Sequence, residues 1–249
     1  MPVRQWDGSS YDRISRPQEA MGLEVLARLE LSGDEVVLDA GCGSGRITQA
    51  LAERLPRGRV VAVDESPSMA EAARRRLGPA ADVRVADLLE LDLEVELDAI
   101  LSTATFHWIT DHERLFATLH GALRPGGQLV AQCGGEGNID ALRGRAGAVA
   151  ARPPYAEHFR DWRAPWNYAG PELTRERLLN AGFTSAECSL QPYPVRPEQP
   201  REFLRTIILE PHVQRLPSAL RERFMDDVMD ELGEPVIVDY VRLNIDARA

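Results

Sequence analysis

The chain predicts an α/β fold: a doubly wound, mostly parallel, seven-stranded sheet with helices on both faces and a small helical cap. Three observations point there. Short runs rich in Val, Ile and Leu alternate with helix-length segments between residues 36 and 133. The first run, Val36-Val37-Leu38, ends in Asp39 and passes into Gly41-Cys42-Gly43-Ser44-Gly45, a glycine loop that opens a helix. Asp39, Asp64, Asp87 and Ser102 close four of the runs, and in an open parallel sheet the strand ends converge on one ligand crevice.

The elements follow in order. Pro17 opens a helix to about Leu29, with Met21, Val25, Leu26 and Leu29 at helical spacing. After strand one and the loop, Ile47 to Leu55 forms a helix. Arg59 to Asp64 is strand two, and Ser66 and Pro67 supply the N-cap and first helical position of the next helix. Asp82 to Asp87 is strand three and Leu97 to Ser102 strand four. Strand five spans Gly127 to Gln132, after the turn Leu123-Arg124-Pro125-Gly126. Residues 139–151 are helical. The stretch 152–171, rich in Pro and aromatic residues, is either a surface loop packed on the core or a substrate wall. A helix at 172–181, a strand at 185–193, two helices (202–210 and 219–232) and a last strand at 236–243 complete the chain.

Composition narrows the function. With 249 residues, 44% hydrophobic and 27% charged, the chain suits one compact α/β domain. A net charge of −10 argues against nucleic acid as partner, because that affinity rests on cations neutralising phosphates. Arg74-Arg75-Arg76 reads as the solvated face of a helix. Cys42, Cys133 and Cys188 have no metal-ligand spacing and suit packing roles in a reducing cytoplasm. No run is long enough to span a membrane, and the first dozen residues lack a signal-peptide pattern.

The glycine spacing separates two cofactor classes. A dinucleotide loop reads G-x-G-x-x-G, whereas here it is G-x-G-x-G, with Arg46 where the third dinucleotide glycine belongs. Asp39, just ahead of the loop, would repel a phosphate. Asp64, about 20 residues past the loop, is placed to accept hydrogen bonds from both ribose hydroxyls. Met69, in the first turn of the following helix, can lay its thioether across a base.

Asp39-Ala40-Gly41-Cys42-Gly43-Ser44-Gly45, Asp64, Ala86-Asp87 and Leu123-Arg124-Pro125-Gly126-Gly127 resemble, in order and spacing, the motifs of class I S-adenosylmethionine (SAM)-dependent methyltransferases, a Rossmann-like family. Trp6-Asp7, Tyr11-Asp12, Ser15 and Gln18 are similar to the start of its trans-aconitate methyltransferase-like group, as are Ser102 to Trp108 and the helical insertion before the last strand. That group and the related malonyl-carrier-protein methyltransferases methylate carboxylates. The resemblance implies SAM as cofactor, S-adenosylhomocysteine (SAH) as product and a small-molecule acceptor, with no metal. It implies a cofactor site made of Gln18, Asp39, Gly41, Gly43, Arg46, Asp64, Glu65, Met69, Asp87, Leu88 and Ser102. Asp87 is expected at the adenine amino group, Gly41 and Gly43 to make room for the cofactor, and Thr103 beside Ser102.

His107, Trp108 and Tyr11 are the candidate catalytic residues. His107 reads as a base, as a donor to the acceptor, or as a structural histidine; Trp108 reads as a pocket wall or as packing. Trp6, Tyr11 and Arg13 read as a closing lid or a packed arm, and Arg13 or Arg16 as a carboxylate partner or a surface charge. The expected organisation is a single domain over 1–249. Its parts are an arm and helix (1–32), a SAM-binding core (33–133), substrate-side cap segments (134–171 and 197–233) and a last strand (234–249). Two further readings stay open: a SAM-binding partner protein without turnover, and N- or C-methylation of a natural product. The substrate-side segments contain no arginine pattern matching a polycarboxylate grip.

Overall fold

The computed structural model describes residues 16–249, with the side chain of Arg16 left out. Seven strands form one sheet in the order β3-β2-β1-β4-β5-β7-β6. They are β1 (Val36–Ala40), β2 (Arg59–Asp64), β3 (Asp82–Val85), β4 (Leu97–Thr103), β5 (Leu123–Gly134), β6 (Ser185–Val195) and β7 (Val238–Arg248). The first five run parallel, and β7 lies antiparallel between β5 and β6. The order reverses between β1 and β4, so the crevice of a doubly wound sheet opens there.

Alternation along the strands explains the two covered faces. Val37, Val60, Ala99, Leu101 and Val130 point to one side, where α1 (Arg16–Ala27) and α2 (Arg46–Glu53) bury Val25, Leu26 and Leu51 against them. Leu38, Val61, Ile100 and Leu129 point to the other side. There α4 (His112–Ala122) and α7 (Pro171–Asn180) contribute Leu115, Phe116, Leu119 and Leu178. The helix α3 (Pro67–Leu77) lies between β2 and β3 in the chain. Ser66 caps it by accepting the Met69 N–H, with Pro67 following as the sequence predicts.

A separate apolar cluster covers the β7 side. It joins α5 (Asp140–Ala150) and the short α6 (Ala156–Phe159) to three helices inserted between β6 and β7: α8 (Pro200–Phe203), α9 (Glu210–Arg215) and α10 (Ser218–Leu232). Phe224, Met225 and Val228 of α10 pack there with Leu142, Ala146 and Val149 of α5.

Several boundaries move from their expected places, each for a physical reason. The first helix starts at Arg16 and stops at Ala27, because the Arg54 guanidinium takes the carbonyls of Leu26 and Leu29. β3 ends at Val85 rather than Asp87, because Asp87 Oδ1 accepts the Leu89 N–H and turns the chain into a 3-10 turn over Leu88–Glu90. β5 begins four residues early, since Leu123 already pairs with Leu97, and a register shift absorbs the Pro-Gly-Gly turn. The helix expected over 202–210 is broken by a π-turn over Leu204–Ile208, ahead of a proline, Pro211, that offers no N–H. β7 runs to Arg248 because both β5 and β6 pair with it.

Leu101 is fully buried in the central strand of the sheet. Leu101→Ala should therefore cost about 2–5 kcal/mol of folding stability, read from urea denaturation midpoints.

Candidate active site

The glycine loop leaves β1 at the switch point and is fixed from three sides. The N–H groups of Gly41 and Cys42 donate to the Val63 carbonyl at 2.8 and 2.9 Å. Asp64 accepts from the Gly43 N–H through Oδ2 at 2.8 Å and from the Ser66 N–H through Oδ1 at 2.9 Å. Arg76 donates to the Ser44 carbonyl and, at 3.0 Å, to the Ser44 hydroxyl. Arg74 reaches the Val83 carbonyl, and Arg75 pairs with Glu71. Two members of the arginine run thus hold the chain together, where the sequence suggested a solvated face.

The two loop glycines named for the cofactor do different things. Gly43 has φ +54°, and a Cβ there would meet nothing within 4 Å, so its backbone faces open space. Gly41 has φ +84°, but a Cβ there would collide with the Thr105 hydroxyl at 2.1 Å. What Gly41 makes room for is Thr105, whose Oγ1 lies 3.3 Å from the Gly41 carbonyl and 3.1 Å from that of Thr103. This ties the loop to the end of β4, a cross-strand contact that local sequence does not reveal.

Asp39 is 1% exposed. Its Oδ2 accepts from the Thr48 hydroxyl at 2.6 Å, while its Oδ1 is buried without a partner. Burial raises its pKa to about 7; the Thr48 hydrogen bond works against this, and the charge of Asp64 adds to it. Burial also raises the pKa of Asp64. A second orphan is Gln18 Oε1, on α1, whose Nε2 donates to the Tyr240 hydroxyl at 3.1 Å. Two buried acceptors without donors, Asp39 Oδ1 just ahead of the glycine loop and Gln18 Oε1 on α1, suit a ligand bearing an ammonium group.

The other expected cofactor residues fall around the same strand ends, with these contacts. Arg46 forms an ion pair with Glu19 at 2.5 Å that fastens α2 to α1. Ser102 is buried and donates to the Ala40 carbonyl at 2.7 Å, so it clamps β4 to β1. Met69 and Leu88 are buried, and Glu65 and Asp87 are exposed. Asp87 caps the turn after β3. Burial raises the pKa of Cys42 strongly, which keeps that thiol protonated.

His107 and Trp108 lie in a 3-10 turn, Phe106–Trp108, just past β4. Ala104 holds a left-handed φ of 57° ahead of the turn, and buried His112 donates from Nε2 to the Phe106 carbonyl at 3.0 Å. The Gly134 N–H on β5 donates to His107 Nδ1 at 3.3 Å. With Nδ1 accepting, a neutral His107 carries its proton on Nε2 and offers a donor, not a base. The His107 ring stands 5.8 Å from Tyr168 and 4.8 Å from Trp108.

Sequence reasoning missed Arg242. On β7 it pairs in register with Gly134, is 5% exposed, and donates from Nε to Gln132 Oε1 at 3.3 Å. It also lowers the pKa of Tyr168, although burial dominates and takes that phenol to about 12. Arg242, Gln132, Tyr168 and His107 therefore stand together. The signal was an arginine between Val241 and Leu243 in an apolar strand, outside the segments where a carboxylate grip was sought. Trp6, Tyr11 and Arg13 lie outside the described residues. Among the described residues, no group of three or more His, Cys, Asp and Glu side chains could hold a metal, and no helix is long and apolar enough to cross a membrane.

Comparison with known proteins gives the family. Residues 37–127 match the methyltransferase domain family. The trans-aconitate 2-methyltransferase of Acidovorax sp. (strain JS42) is 29% identical over 244 residues, 93% of this chain and 90% of the relative. That of Methylobacterium nodulans is 33% identical over 194 residues, 76% of this chain and 70% of the relative. The chain belongs to the trans-aconitate methyltransferase-like group of class I methyltransferases. It is an enzyme that uses SAM. This methyltransferase also shares its fold with phosphoethanolamine N-methyltransferase 2 of Haemonchus contortus, solved with phosphomonomethylethanolamine and SAH (TM-score 0.63, 19% identity). The match covers 97% of the present chain but only 57% of that chain. The YcgJ protein of Bacillus subtilis superposes with a TM-score of 0.62 at 14% identity, over 92% of this chain and 97% of its own.

Asp39 makes stability depend on pH. Its folded pKa of about 7 lies above the ordinary 3.8, so above pH 4 the unfolded chain releases a proton that the folded methyltransferase retains. Stability should fall as pH rises from about 4 to 7 and level off above that. Asp39→Asn should flatten this part of the curve relative to wild type in urea denaturation at pH 5 and pH 8.

Proposed function

We propose that this methyltransferase O-methylates a small-molecule carboxylate in the cytoplasm. The observation that carries the reading is the His107 geometry. The Gly134 N–H on Nδ1 puts the proton of a neutral His107 on Nε2, and the buried Arg242 pairs in register with that same Gly134. A site of donors suits an acceptor that is already an anion. A carboxylate is ionised at pH 7 and needs no base, whereas a phenol, amine or carbon acid has to lose a proton. The trans-aconitate 2-methyltransferase relatives support the same class of acceptor.

SAM supplies an electrophilic methyl on its sulfonium. In this reading the chain's work is orientation, which is worth on the order of 7–11 kcal/mol of barrier when donor and acceptor are held in line. Asp64 holds the ribose: each carboxylate oxygen already accepts one backbone N–H, and each keeps a lone pair for a hydroxyl. Glu65 flanks it, Met69 lies against the base, and Asp87 with Leu88 takes the adenine edge. The orphan oxygens of Asp39 and Gln18 take the methionine ammonium. Gly43 gives the backbone its close approach, while Gly41, Ser102 and Thr105 shape the loop. Arg46 stays with Glu19 and fixes α1 over the loop. His107 and Arg242 orient the acceptor, and Trp108 walls the pocket and excludes water, with Tyr11 expected to close on it.

Three outcomes test this. In calorimetric titration with SAH, Asp64→Ala should weaken binding by about 1.5–3 kcal/mol, the value of hydrogen bonds to a charged group; unchanged affinity would remove the ribose assignment. With methyl-labelled SAM and a panel of small organic acids including trans-aconitate, the labelled product should be released as methanol by mild base, as an ester is. Arg242→Lys, which keeps the charge and loses the fork, should raise the acceptor KM about tenfold or more while leaving SAH affinity unchanged. Base-stable label would refute O-methylation of a carboxylate.

A further inference from the structure

Away from the cofactor loop, α5 and the aromatic stretch line an open groove of about 300 Å³. Trp162 and Trp166 form two walls, with ring planes at 88° and centroids 6.5 Å apart. His212 of α9 adds a third ring, 4.4 Å from Trp162. Gly144 and Gly147, one turn apart on α5, line the same groove, and a Cβ at either would meet nothing within 4 Å. Glycine weakens a helix interior, and here the space it clears is filled by no neighbouring side chain.

The polar groups converge on the same space. The Arg143 guanidinium lies 5.8 Å from the Trp166 ring centroid and 5.5 Å from that of Tyr168. One of its nitrogens donates to Asp140 Oδ1 at 3.1 Å, which leaves most of its five N–H donors for other acceptors. His212 is 4% exposed, and its Nδ1 is buried without a partner. Burial and the neighbouring Arg143 charge lower its pKa to about 4, so at neutral pH it is an uncharged ring able to donate from Nδ1. A buried polar atom without a partner calls for explanation, and a ligand acceptor in the groove would complete it.

We propose that this groove is a binding site for a planar aromatic carboxylate. The ring lies over the Gly144 and Gly147 floor, in the corner that the two perpendicular indoles make, and the carboxylate accepts from Arg143 and His212. Flat walls select a flat ligand, and the cation selects an anion despite Asp140 at the rim. The site communicates with the methyl-transfer mouth through rings: Trp166 stands 6.0 Å from Trp108 and 6.0 Å from Tyr168, which in turn faces His107.

The test is calorimetric titration of the SAH-loaded full chain with cinnamate, and with cyclohexanecarboxylate as the non-planar control. Saturable cinnamate binding is expected, at least tenfold tighter than the control. Gly147→Leu, which fills the floor, and Arg143→Gln should each weaken it tenfold or more with SAH affinity unchanged. Absence of saturable binding, or equal affinity in both variants, would overturn the proposal. Methyl transfer to cinnamate separates the two uses of the site. Turnover whose KM rises in Gly147→Leu makes the groove the seat of the acceptor, and binding without turnover makes it an effector site. Turnover with a KM untouched by either variant would overturn the groove while leaving carboxylate methylation standing.

Discussion

The carboxylate of Asp64 is the joint on which the site is hung. It sits at the end of β2 and accepts the N–H groups of Gly43 and Ser66, so one side chain positions both the glycine loop and the first turn of α3. An ionised acceptor holding two backbone donors makes strong hydrogen bonds in a partly dry setting. With the loop pinned there, Val63 holds Gly41 and Cys42, Arg76 holds Ser44, and Thr105 fills the space beside Gly41. The loop is therefore fixed from β2, α3 and the end of β4 together, and the crevice is shaped by the same contacts that hold these central strand ends in place.

This arrangement stores an electrostatic asymmetry. Asp39 is buried more deeply than Asp64 and has one satisfied oxygen and one orphan. Burial disfavours its charge, and a cation beside it would favour the charge. A cofactor that brings an ammonium to that point relieves a cost that the free fold carries, which is a physical reason for a buried carboxylate ahead of the loop. Asp64, with both oxygens engaged by backbone, is held in place with or without a ligand. One aspartate thus positions and the other answers to what binds.

The proposed acceptor side follows the opposite logic. His107 is committed by the Gly134 N–H to donating from Nε2, and Arg242 lies under the same residues on the neighbouring strand. In the proposed reaction, donors gathered around a mouth walled by Trp108 and Tyr168 favour an anion that arrives already ionised. The groove beyond Trp166 repeats the theme of aromatic faces with a guanidinium across them.

The parallel core, the loop and the positions of Asp39 and Asp64 were legible in the sequence, because periodicity and glycine spacing are local properties that neighbouring residues enforce. The Ser66-Pro67 helix start was legible for the same reason. Asp87 was legible as to place only: whether it ended a strand or capped a turn depended on the competition between sheet pairing and its own side chain. The donor state of His107 came from a backbone N–H 27 residues away, and the role of Gly41 from a threonine 64 residues away. Arg242 joined the site through antiparallel pairing of the last strand with β5, and His212 met Arg143 only through the packing of the inserted helices on α5. The sequence by itself determined the fold class, the cofactor loop and its two aspartates. The tertiary structure alone decided which groups gather around His107 and which of its ring nitrogens accepts, because those depend on contacts between segments that no local pattern records.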